Sequence, residues 1–198
     1  MAKVKDLIIK AGFNPSNKKN KAYSLELFDG YVMDIEPEFG DWGDIDSLII
    51  RLKSKKFGSF MDCLFKNTAA VDFSERMQKK NTEGFIGVAT VLVEYDQEPS
   101  FFTANGEISI NTFMQRLSSI TSVKDLYDIF YFEKTNKLLA MIEGVWVQLF
   151  FMFEINLDVA KIEEQLTNLP SDFAKPEKKN FDINSIRSFA AEYASLSI

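Results

Sequence analysis

Between Asp128 and Asp158 the chain reads DIFYFEKTNKLLAMIEGVWVQLFFMFEINLD, three apolar runs separated by two short polar breaks. No other stretch constrains the fold as strongly, because each run is short for a helix and each break carries turn residues. Thr135-Asn136 suits a tight turn, since Asn tolerates a left-handed backbone, and Glu143-Gly144 offers a second. The spacing predicts three consecutive antiparallel strands, a β-meander, over Ile129–Lys134, Leu138–Ile142 and Val145–Ile155. In the last run Val145, Val147 and Leu149 alternate with Trp146, Gln148 and Phe150, as in a strand. Phe150-Phe151-Met152-Phe153 is apolar on both sides, which fits a strand covered on both faces. The competing reading is a buried helix over 145–155. β-branched and aromatic residues, with Gly144 at the entrance, favour the strand.

The rest of the chain supplies helices and hairpins. Val4, Leu7, Ile8 and Ala11 fall at helical spacing, with Gly12 as the C-terminal stop. Asp29-Gly30 between Tyr23–Phe28 and Tyr31–Glu36 is a strong hairpin signal, and Pro37 is expected to end the second strand. Residues 45–80 read as mainly helical, interrupted at Gly58, with Cys63 as a small buried group; a strand over Leu48–Leu52 is the alternative. Phe85–Tyr95 predicts a strand in which Gly87 marks a bulge or a close backbone contact. Asn105-Gly106 predicts a second hairpin. Asn111 or Thr112 should cap a helix to Ile120, Ser122 another, and Asp158–Leu169 a third, stopped by Pro170. The fold class expected is α+β: a mainly antiparallel sheet of six to eight strands flanked by helices. At 198 residues, one α+β domain over 1–170 is expected. A polar linker over 171–183 and a C-terminal docking helix over 184–198 follow, the latter with an Ile186, Phe189, Ala190, Tyr193 and Leu196 stripe.

Composition excludes several chemistries. There is no histidine and one cysteine, which removes Ser-His and Cys-His catalytic pairs, His-ligated metals and an internal disulfide. Neither G-x-x-x-x-G-K-[ST] nor G-x-G-x-x-G nor G-x-S-x-G occurs, so no cofactor is expected. The N-terminus lacks the apolar core of a signal peptide, and no apolar run is long enough to span a membrane, so a cytoplasmic protein is expected. Lys outnumbers Arg 19 to 4, a bias associated with the AT-rich DNA of low-GC bacteria and their phages.

Charge comes in blocks. Residues 1–21 sum to +5, 22–48 to −8, 49–80 to +5 and 81–170 to −8, within a total of −6. An acidic total weighs against nucleic-acid binding. Lys18, Lys19 and Lys21 read as a solvated basic loop, with a phosphate contact as the alternative. Tyr131, Phe132 and Phe150 could stack bases on a sheet, but at these positions core packing is the simpler reading.

Residues 36–46, EPEFGDWGDID, place five carboxylates in eleven residues with two aromatics between them. The order does not match a calcium loop. One reading tucks the aromatics onto the core and lets Asp44 or Asp46 cap a following helix. The other is an exposed recognition loop with Glu38, Phe39, Asp41, Trp42 and Asp44 as binding residues. The function expected is therefore non-catalytic: an inhibitor, an immunity-type binder or an accessory subunit with a protein partner. Homo-oligomerisation through the C-terminal helix is compatible with it. The alternative is a divalent-metal nuclease or phosphoesterase resting on carboxylates such as Glu94 and Asp96.

Overall fold

The computed structural model describes residues 4–17, 22–67, 84–103, 105–131, 138–139, 141–142, 145–155, 160–161 and 164. It is an α+β fold, and the chain divides into two compact units. The linker and C-terminal helix expected over 171–198, the Lys18–Lys21 loop and the helical stretch expected over 68–80 lie outside the described residues, as do the side chains of Cys63 and Trp146. Of the helix expected over Asp158–Leu169, residues 160, 161 and 164 are described and are helical.

The first unit comprises residues 1–53 and 87–141. Helix α1 (Val4–Lys10) buries Val4 and Ile8. Strands β1 (Asn14–Asn17), β2 (Ala22–Phe28), β3 (Tyr31–Phe39), β4 (Ile45–Ser54) and β5 (Phe85–Leu92) form a sheet in sequence order. The β2–β3 hairpin closes through Asp29 (φ 44°) and Gly30 (φ 76°), the two left-handed positions of a tight turn whose twist matches the strands. Tyr31 pairs with Phe28 across it, their rings stacked at 4.9 Å. Pro37 does not end β3, which continues to Phe39. The β2 register runs no further than Tyr23↔Ile35 and its first residue is Ala22, so Pro37 falls beyond β2's reach, where a missing backbone donor is tolerated.

Residues 45–54 are a ten-residue strand and not the start of a helix. Leu48, Ile50 and Leu52 point inward with no exposed surface, while Arg51 and Lys53 point outward. Those two cations decide the matter. Arg51 meets Glu36 on β3 at 2.6 Å and Lys53 meets Asp34, so each step back along β3 is matched by a step forward along β4, an antiparallel register. On β5, Gly87 is a close-contact glycine. A Cβ there would overlap the Met141 carbonyl oxygen and stand 3.0 Å from its carbonyl carbon.

A second sheet, β6 (Glu94–Tyr95), β7 (Pro99–Thr103) and β8 (Gly106–Ser109), contains the Asn105-Gly106 hairpin. Helix α3 (Ile110–Ser118) packs on it, with Phe101 and Phe113 edge to face at 5.1 Å. Its cap is Ser109 rather than Asn111 or Thr112, because the Ser109 hydroxyl already accepts from Thr112 N at 3.2 Å. Ser122 caps α4 (Val123–Phe130) as expected, accepting from Asp125 N at 3.1 Å.

The described residues of the predicted meander do not form it. Ile129 and Phe130 complete α4, with Tyr131 N bonded to Tyr127 O at 2.8 Å, and residues 132–137 lie outside the described set. Val145–Glu154 is a helix, α5, the competing reading of that run. It belongs to the second unit, residues 54–86 and 142–198, together with α2 (Lys55–Asn67). Phe150 lies edge-on to Phe57 at 5.1 Å and to Phe60 at 5.3 Å, and Lys56 approaches Glu154 at 3.7 Å. Leu149, Phe150, Phe151 and Met152 are all fully buried. A helix enclosed on every side needs no polar face, so its sequence looks like a strand covered on both faces. Gly58 does not interrupt α2 but lies buried within it. No helix among the described residues is long and apolar enough to cross a membrane.

Candidate functional site

The acidic loop joins β3 to β4 at one end of the five-stranded sheet. Glu38 and Phe39 are the last residues of β3, and Asp41, Trp42 and Asp44 lie in the connection that follows. The loop closes on itself through two backbone bonds, Gly40 N to Asp44 O and Gly43 N to Gly40 O, each 3.0 Å. Gly43 holds a φ of 79°. The Asp46 carboxylate lies against Gly40 where any Cβ would have to sit. Glu38 accepts a hydrogen bond from the Ser47 hydroxyl on β4.

The loop leaves Trp42 in water and Phe39 partly exposed. Trp42 is 95% exposed and Phe39 44%. The element that follows is a strand, so neither Asp44 nor Asp46 caps a helix there.

A second segment meets the loop, the one whose Glu94 and Asp96 the sequence offered for a metal site and not for recognition. Val93 N donates to the Asp46 carbonyl at 2.8 Å, and the Tyr95 hydroxyl donates to the Ile45 carbonyl at 3.0 Å. These bonds bring the β5–β7 connection, with Glu94, Tyr95, Asp96 and Glu98, to the base of the loop. Leu92 (72% exposed) and Tyr95 (40%) add apolar surface beside it. Burial, then the charges of Asp44 and Asp46, pushes the Tyr95 phenol above its ordinary pKa. A signal for this segment was present in the sequence. Residues 22–50 and residues 81–115 both lack any Lys or Arg.

The carboxylates proposed for a metal site form no such cluster among the described residues. Glu94 is in β6 and Asp96 lies past its end. Among the described residues no three Asp, Glu or Cys side chains come together as a metal site would require. Tyr131 and Phe150 are buried, so neither presents a ring for base stacking, and Phe132 lies outside the described residues. No protein-family model matches the chain, and searches of curated proteins and of solved structures find no match.

Proposed function

We propose that this protein acts by binding another protein, as a non-catalytic inhibitor or accessory factor, through the Phe39–Asp44 tip. The observation that carries the reading is the 95% exposure of Trp42 at the apex of a loop closed by its own backbone bonds. An indole held in water at a defined place is the kind of side chain that anchors interfaces. It offers a large apolar face and loses little side-chain entropy on docking. The carboxylates around it form the polar rim that such an anchor requires.

The test is affinity capture from the native cell with the intact protein and with Trp42→Ala, followed by calorimetry on any partner captured by the first alone. Truncating an interface anchor should weaken binding by about 2 kcal/mol or more, roughly thirtyfold. A partner bound with equal affinity by both proteins would show that this loop is not the docking site.

A further inference from the structure

Resting on that reading, we infer that the partner offers a Lys- and Arg-rich segment to a composite acidic and aromatic surface built from the β3–β4 loop and the β5–β7 connection. Residues 22–50 and 81–115 contain no basic residue, and the Val93–Asp46 and Tyr95–Ile45 bonds join residues 45–46 of the first stretch to residues 93–95 of the second. The bonds set the segment that carries Glu94 and Asp96 beside the base of the loop that carries Glu38, Asp41, Asp44 and Asp46. The same sheet treats its carboxylates differently further along. Asp34 is matched by Lys53 and Glu36 by Arg51, whereas Glu38, next on the same face, accepts from the neutral Ser47 hydroxyl and meets no cation among the described residues. The cross-strand pattern therefore changes from neutralised to net acidic at the point where the exposed aromatics begin.

An independent observation narrows the ligand. Phe39, Trp42, Leu92 and Tyr95 all present apolar surface at this end. Anionic ligands and nucleic-acid phosphates would be repelled by the carboxylates, and a purely apolar partner would have to strip water from them without replacing its hydrogen bonds. A basic side chain satisfies both parts of the surface. Its guanidinium or ammonium can lie on the indole face while bonding a neighbouring carboxylate, and its aliphatic stem covers the ring. Burial is the main cause that raises the Tyr95 phenol, and the charges of Asp44 and Asp46 add to it.

The probe is a capped oligo-arginine peptide, compared with a neutral apolar peptide of the same length, on the full chain. The readout is the indole resonance of Trp42, assigned by its loss in Trp42→Ala. The charge variant combines Asp41→Asn, Asp44→Asn, Glu94→Gln and Asp96→Asn. These four side chains are exposed, and circular dichroism checks that the variant keeps its fold. Expected is a saturable shift of the Trp42 resonance with the arginine peptide alone. It should weaken by roughly tenfold in the charge variant and with added salt. No shift at Trp42, or an equal shift in the charge variant, overturns the inference. The two readings fail separately. A captured partner that needs Trp42 yet ignores both salt and the charge variant leaves the docking function standing and removes the basic segment. A partner indifferent to Trp42 removes both.

Discussion

Gly87→Ala should destabilise the protein, although alanine is ordinarily the better residue inside a strand. Without a steric conflict, replacing glycine would stabilise by about 0.4–1 kcal/mol, because the unfolded chain has less freedom to lose. The structure reverses the sign. The new Cβ would stand 3.0 Å from the Met141 carbonyl carbon, with the carbonyl oxygen nearer still. A carbon rests about 3.3–3.6 Å from a carbonyl oxygen, so the two backbones would have to part by on the order of 1 Å. Met141 is poorly placed to yield, since its N–H is shared between the carbonyls of Phe130 and Leu139, each at 3.1 Å. Overpacking of this kind costs about 1–3 kcal/mol, and subtracting the favourable term from the middle of that range leaves a net loss of about 1.3 kcal/mol. Urea unfolding followed by circular dichroism measures it, with Gly43→Ala as the control. A Cβ at Gly43 meets nothing within 4 Å, so its cost is left-handed strain alone, about 1 kcal/mol. A Gly87→Ala protein as stable as the parent, or more so, would refute the close approach of these two segments.

Two further outcomes test the core and the site. Phe150→Ala should lose about 3–5 kcal/mol in urea unfolding, since the ring is fully buried among Phe57, Phe60 and Phe151; a loss below about 1 kcal/mol would show that the cluster does not enclose it. Tyr95 should ionise above the ordinary phenol value of about 10, read as the ultraviolet difference between the parent and Tyr95→Phe. Because the folded chain holds that proton more tightly, the contribution to stability is complete below the ordinary value and is lost as pH rises beyond it. Replacing Asp44 and Asp46 by Asn should lower the midpoint, and a midpoint that stays put would separate those charges from the phenol.

The candidate site was half legible. Glu38, Phe39, Asp41, Trp42 and Asp44 stand out in sequence because acids and aromatics crowd one short loop. Leu92, Tyr95 and Glu98 do not, since nothing local about them is unusual. Only the bonds from Val93 and Tyr95 to the start of β4 place them beside the loop. The missing basic residues in both segments were visible, but their meaning depends on the two being neighbours.

What the chain determined by itself is what acts over a few residues. Asp29-Gly30 and Asn105-Gly106 close hairpins because their own backbone preferences suit the turn, and Ser122 starts a helix because its hydroxyl reaches the amide of Asp125. Tertiary structure decided the rest. LIIRL satisfies a helical or a strand period, and it became a strand because β3 lies beside it with Glu36 and Asp34 opposite Arg51 and Lys53. VWVQLFFMFE offers apolar surface in every direction, so its own pattern selects neither period. It became a helix in the unit where α2 sets Phe57 and Phe60 against Phe150, because packing from all sides removes the periodicity by which a sequence announces its secondary structure.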